Sequence, residues 1–327
     1  MLNKIIIDTD PGGDDIFALL WLQSLIKQGF AELIAVTTAQ GNVDAKTTFI
    51  CASQVLSLGK LEQVELGRGV AFQEAEIADA AYIHGVDGMG GLSQTLPPAK
   101  HDFSTAPASD DLIIDKLNKH PGEITLIAIA PLTNLAAAEI KSPGILKKAK
   151  EIIVMGGAFQ VPGNVTSHAE FNIAFNVKAA KKVFSSRNDI IVLPLDITKQ
   201  LVFTPYMAEE IKKINPQNPL AEFIFKLSEF MTKNTLFYRE TSGKPGFLVH
   251  DAATIAYLFY PETLFLRRAK VEIETQGEFS KGQTILDDRH FAKKNLNSWV
   301  ALQVDAVNLL AILVEDLKYL LIIKPPT

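Results

Sequence analysis

Close to the start of the chain, Asp8-Thr9-Asp10-Pro11-Gly12-Gly13-Asp14-Asp15 places four carboxylates within eight residues, with no Lys or Arg among them. Left uncompensated, such charges repel and raise one another's pKa. A bound cation removes the conflict, and an all-oxygen donor set selects a hard ion, Ca²⁺ or Mg²⁺, over zinc. The plainer reading is helix capping by Asp14, with Asp15 favouring the helix dipole. A cap uses one carboxylate, however, and Asp10 stands before the turn, so metal binding is the stronger reading.

A second polar group runs Met155-Gly156-Gly157, Gly163-Asn164 and Glu170-Phe171-Asn172. Glycines let a ligand approach the backbone. Two asparagines and a glutamate donate to and accept from several hydroxyls at once, which is what a sugar demands. A surface loop with ordinary turn asparagines explains the same residues equally well. Three smaller signals are Ala130-Pro131-Leu132-Thr133-Asn134, Gly41-Asn42 and His250-Asp251. The first two read as a helix start and a turn. A histidine beside an aspartate at a helix start is able to exchange protons near neutral pH, although Asp251 alone would be a cap. The Gly-rich stretch from His84 to Gly91 is a lid or only a turn.

These groups need elements that end where they begin. Lys4–Asp8, Glu32–Thr37, Ile124–Ile129, Glu151–Met155 and Ile190–Leu193 read as strands. Helical patterns over Asp14–Lys27, Ala45–Leu58, Leu132–Ile140 and near Val177–Phe184 alternate with them. That alternation means βαβ units and an α/β fold with a mostly parallel central sheet and helices on both faces. Such sheets bind ligands beyond the carboxyl ends of their strands, where the polar clusters fall. The last third carries extra helices over Leu220–Tyr238, Asp251–Tyr260 and Asp305–Leu321, the last ended by Pro325 and Pro326. It also carries two short strands, Lys270–Glu274 and Gln283–Leu286, read as antiparallel. Asn215–Pro219 is a loop and not a linker, so one domain spanning residues 1–327 is expected.

Composition narrows the function classes. The chain has 327 residues, 47% hydrophobic and 21% charged, so a large core is available. A net charge of −5 argues against broad binding to nucleic acid or anionic membranes. The one cysteine, Cys51, excludes an intrachain disulfide and any multi-cysteine metal site, and suits a reducing cytoplasm. The apolar stretch Ile124–Ala138 contains Pro131 and is too short for a bilayer, which takes roughly 20 residues. Only three isoleucines separate Lys4 from Asp8, so no signal-peptide core is expected.

Taken in order, DTDPGGDD at Asp8–Asp15, HG-x-DG at His84, PLTN at Pro131–Asn134, MGG…GN…EFN over Met155–Asn172 and HD at His250–Asp251 resemble the inosine-uridine-preferring nucleoside hydrolases. The resemblance runs from Asp8 to about Tyr260, some three-quarters of the chain. It implies hydrolysis of the N-glycosidic bond of ribonucleosides to free base and ribose, a Ca²⁺ cofactor, and a homodimer or homotetramer. By that resemblance Asp10, Asp15, Asp251 and the main-chain carbonyl of Ile129 hold the ion. Asp14, Asn42, Met155, Asn164, Glu170 and Asn172 contact the ribose. His250 lies by the leaving base, with His84 and Tyr238 close to it. Ala130 replaces the usual Gly before PLTN, Asn176-Val177 replaces Asp-Pro, and Ala252 stands where Pro is common. None of these removes a residue the chemistry needs.

Breaking this bond builds positive charge on the sugar, as in glycoside hydrolysis. The expected division of labour gives Asp10 as general base for a calcium-activated water attacking C1′ and His250 as acid toward the base. Two other classes compete. A haloacid-dehalogenase-type phosphohydrolase also begins with a strand ending in Asp-x-Asp, but its further acidic pair would have to be Asp287-Asp288, outside the βαβ run. A non-catalytic nucleoside- or ribose-binding protein on the same scaffold would retain the ligands without turnover.

Overall fold

A computed structural model of the chain describes residues 2–72, 75, 77–289 and 295–322. The strands are β1 Asn3–Thr9, β2 Ala31–Thr38, β3 Glu65–Gly67, β4 Ile124–Ala128, β5 Glu151–Met155, β6 Ile190–Leu193, β7 Val202–Phe203, β8 Phe247–Leu248, β9 Leu264–Ile273, β10 Thr284–Asp287 and β11 Ser298–Val304. Nine form one sheet in the order β10-β9-β11-β6-β5-β4-β1-β2-β3, while β7 and β8 pair separately. From β3 to β11 all neighbours are parallel, and β9 and β10 add an antiparallel edge. The α/β reading with C-terminal antiparallel strands therefore holds.

The hydrophobic run in β1 explains the layering. Ile5, Ile6 and Ile7 are all fully buried, because strand side chains alternate faces and helices cover both. Ile5 and Ile7 join the core that includes Phe17, Leu20 and Trp21 of the helix Gly13–Gln28. Ile6 joins the opposite core with Leu112 and Ile113 of the helix Ser109–Lys119 and Leu135 of the helix Thr133–Lys141. The chain order reverses at β1, which lies between β2 and β4. Loops from adjacent strands part there, and the crevice that opens beyond the carboxyl ends is where α/β sheets bind ligands. Asp10 follows β1 and Ile129 follows β4, so both border that crevice.

Element boundaries differ from the sequence expectation by a few residues, as helix ends commonly do. The expected helix Leu132–Ile140 is Thr133–Lys141, and Asp251–Tyr260 is Ala252–Phe259. β9 starts at Leu264, six residues earlier than the strand expected from Lys270. Among the longer elements, β11, the helix Ser109–Lys119 and the helix Pro205–Ile214 lie outside the sequence expectation. Pro325 and Pro326 lie outside the described residues. Among the described residues, no helix is long and apolar enough to cross a membrane.

Candidate active site

The turn after β1 folds back on itself because Asp15 organises it. Its Oδ1 accepts from Thr9 Oγ1 at 2.6 Å and the Asp10 N–H at 3.2 Å. Its Oδ2 accepts from the Gly12 N–H at 3.0 Å and Asn42 Nδ2 at 3.1 Å. Capping and ion binding are thus compatible: Asp15 sits at the third residue of its helix and satisfies an N-terminal donor, while its oxygens still face the crevice. Asp10 is held from the β2 side. Its Oδ2 accepts from the Asn42 N–H at 2.7 Å, and its main-chain oxygen accepts from Asn42 Nδ2 at 2.9 Å. Gly41 makes room for this carboxylate, since a Cβ there would overlap Asp10 Oδ2. Asp10 Oδ1 is buried and has no hydrogen-bond partner among the described residues.

Asp251 arrives from far along the chain, at the start of the helix Ala252–Phe259. One carboxylate oxygen from each of Asp14, Asp15 and Asp251 lies within 4.8 Å of the others. Asp10 is outside that tight triple but close enough for its charge to act on Asp251. Burial, then mutual repulsion, pushes Asp14 up to about 8 and holds Asp10 and Asp251 well above the usual carboxylate range. Asp15, with its four donors, rises only to about 6. A divalent cation fits this arrangement on two grounds. The oxygens converge, and Asp10 Oδ1 is a buried acceptor that nothing among the described residues satisfies. The described cluster brings Asp14 in with Asp15 and Asp251, whereas the resemblance assigned Asp14 to the sugar.

Asp8, the fourth carboxylate of the run, faces a different partner set. Its Oδ1 accepts from Thr37 Oγ1 at 2.6 Å and Asn134 Nδ2 at 2.7 Å, and burial raises it to about 7. Asn134 also donates to the Thr38 carbonyl and accepts from the Val70 N–H. The asparagine of PLTN is therefore a strut between strands.

The polar residues after β5 line the same cavity. Glu170 caps the short helix Phe171–Phe175 by accepting from the Asn172 and Ile173 N–H groups, and it also accepts from the Gly157 N–H at 2.9 Å. Asn172 Nδ2 donates to the carbonyls of Ile129 and Met155, both at 3.2 Å. Asn164 Oδ1 accepts from the Phe171 N–H at 2.9 Å. Asp10, Asp14, Asp15, Asn42, His84, Ile129, Met155, Asn164, Glu170, Asn172, His250 and Asp251 all line one cavity. Tyr238 does not. It ends the helix Pro219–Phe237 and packs edge to face on Tyr82, 4.9 Å between centroids, and Tyr82 is a lining residue. Tyr82, Met231 and Glu240 also line the cavity, and no spacing or motif distinguishes them in the sequence.

Both histidines are held by Nδ1. The Gly13 N–H donates to His84 Nδ1 at 2.9 Å, which leaves the proton of this neutral ring on Nε2. Burial lowers His84 to about 4. His250 Nδ1 lies 2.7 Å from Thr198 Oγ1, and loss of water, then Lys199 and His84, lower it to about 3. Neither ring carries a proton to spare at neutral pH. Each is able to offer a hydrogen bond.

The family model described as inosine-uridine preferring nucleoside hydrolase matches residues 5–311. The non-specific ribonucleoside hydrolase RihC of Salmonella paratyphi A is 34% identical over 309 residues, covering 92% of this chain and 93% of its own. The inosine-uridine preferring nucleoside hydrolase of Leishmania major is 32% identical over 307 residues, covering 93% and 94%. Among solved structures, the plant nucleoside hydrolase PpNRh1 superposes with a TM-score of 0.85 at 31% identity, covering 97% of this chain and 99% of that one.

Proposed function

The chain belongs to the inosine-uridine preferring nucleoside hydrolase family and hydrolyses the N-glycosidic bond of ribonucleosides to base and ribose; from that premise we propose how its own residues divide the work. Asp10, Asp14, Asp15 and Asp251, with the Ile129 carbonyl, would hold Ca²⁺. The ion, once bound, supplies Lewis-acid activation of water and a grip on sugar hydroxyls. Asp10 takes the proton from the attacking water, through the Oδ1 that no group among the described residues satisfies. Asp14, Asn42 and Asn172 reach the 2′- and 3′-hydroxyls, while Glu170 and Asn164 hold the 5′-hydroxyl. Binding energy on these groups is available to distort the ring toward the oxocarbenium-like transition state. His250, assisted by His84, hydrogen-bonds the departing base, and Tyr238 steadies Tyr82 at the rim.

The convergence of Asp251 with Asp14 and Asp15 carries this reading, because no local role explains carboxylates so far apart along the chain meeting in one buried place. Calcium follows from the all-oxygen donors and from the family resemblance. The test is a reducing-sugar assay across a panel of ribonucleosides. Excess chelator is expected to abolish sugar release, and Ca²⁺ to restore it. Full activity in chelator would reject the ion's role. Nucleoside binding without sugar release would leave a binding protein in place of an enzyme. We also place the enzyme in a reducing cytoplasm as a homodimer or homotetramer, which Cys51 and the family resemblance suggest and sedimentation would check.

A further inference from the structure

The one-turn helix Leu195–Thr198, just after β6, ties two sides of the cavity together. Asp196 accepts from the Phe159 and Gln160 N–H groups at 2.9 and 2.7 Å, and Lys199 Nζ donates to the Pro162 carbonyl at 2.7 Å. These bonds fix the loop that leads into Asn164. On the other side Thr198, fully buried, places Oγ1 2.7 Å from His250 Nδ1. The hydroxyl has no other hydrogen bond among the described residues. A buried hydroxyl proton left without an acceptor costs about 1–3 kcal/mol. The bond therefore runs from Thr198 Oγ1–H to Nδ1 as acceptor. A neutral imidazole accepting at Nδ1 carries its proton on Nε2. That nitrogen has no protein partner among the described residues, and the ring lines the cavity.

We propose that Thr198 is a positioning residue that fixes His250 in the Nε2–H tautomer and so aims a hydrogen-bond donor at the departing base. The inference rests on the reading of His250 as the residue beside that base. It specifies the substrates that depend on Thr198: ribonucleosides whose base is a poor leaving group with an acceptor atom near the scissile bond. Aryl ribosides with an activated phenolate leaving group need no such donor.

The side-chain ¹⁵N–¹H correlation spectrum of the calcium-supplied enzyme tests the tautomer directly, with His250→Gln assigning the signal. The wild type is expected to give the Nε2–H pattern. Thr198→Val, which keeps the shape and removes the hydroxyl, is expected to lose that pattern, and Thr198→Ser to keep it. Kinetics give the second readout. In Thr198→Val, kcat on inosine is expected to fall about tenfold or more with KM little changed, while an activated aryl riboside stays within about twofold. Thr198→Ser restores inosine turnover. An Nδ1–H pattern in the wild type, an unchanged Nε2–H pattern in Thr198→Val, or equal losses on both substrates would overturn the proposal. If Thr198→Val does not fold, the wild-type and Thr198→Ser spectra still decide. His250→Ala on the same two substrates isolates the underlying reading: equal losses there would remove His250 from the leaving-group side, whatever tautomer the spectra report.

Discussion

Asp8 and Asp10 are two residues apart in one strand-end and are bound into different surroundings. Asp8 gives Oδ1 to Thr37 and Asn134 and stays out of the cavity lining, whereas Asp10 lines the cavity; each keeps one buried oxygen without a partner among the described residues. Replacing each by asparagine should separate the two. Asp10→Asn removes the base and a ligand charge, and activity is expected to fall about 10²–10⁴-fold with the far-UV spectrum unchanged. Asp8→Asn keeps an acceptor for both Thr37 and Asn134 and removes a charge that burial already disfavours, so turnover should stay within about tenfold of wild type. Comparable losses in the two variants would contradict the division. At this scale the sequence is most legible where charge is uncompensated: a run of aspartates with no basic neighbour demands a cation by its composition alone. It does not distinguish Asp8 from Asp10, because only the partners on β2 and in the PLTN turn make that distinction. Thr198 leaves no sequence signal at all, since a threonine closing a one-turn helix is ordinary until a histidine 52 residues later meets it.

β1, β2 and β4 act on the site through the struts between them. Asn134, in the helix that follows β4, ties together β1, β2 and the segment after β3 by bonding Asp8, the Thr38 carbonyl and the Val70 N–H. Asn134→Ala would take a donor from the buried Asp8 carboxylate and the Thr38 carbonyl and an acceptor from the half-buried Val70 N–H, and a loss of about 1–3 kcal/mol of stability is expected in denaturant unfolding, with the activity of the still-folded fraction largely kept. Gly41→Ala makes the opposite case. Its methyl would meet the Asp10 carboxylate, so the expected outcome is a large loss of kcat with a smaller change in midpoint. If Gly41→Ala unfolds the protein and leaves kcat intact in what remains, the site is less tightly set than this geometry requires. Strands buried on both faces, such as β1 with its three isoleucines, announce themselves in sequence. β11 does not. Its residues mix buried and exposed positions, and its place beside β6 depends on a parallel pairing across more than a hundred residues. The helix Ser109–Lys119 is hidden by its charged residues, with Leu112, Ile113 and Leu117 buried and Ile114 half-buried beside them.

A whole-molecule consequence follows from collecting these carboxyls in one buried crevice. Asp8 is raised to about 7, Asp14 to about 8 and Asp15 to about 6, with Asp10 and Asp251 also well above the usual range. In the unfolded chain each returns to roughly 3.9. Between about pH 4 and pH 8 the folded state therefore binds more protons than the unfolded one. Stability changes with pH in proportion to protons bound unfolded minus protons bound folded, which is negative here, so metal-free protein should lose stability as pH rises through that window. The ion and the protons compete for the same oxygens. Added Ca²⁺ should thus stabilise little near pH 5 and strongly near pH 8, where saturation at a hundred times Kd contributes about 2.7 kcal/mol. Thermal unfolding of chelated and calcium-supplied protein across that range checks both slopes at once. A metal-free profile that is flat or rises from pH 5 to 8, or a calcium increment independent of pH, would mean that the aspartates are neutralised by something other than shared protons and a cation.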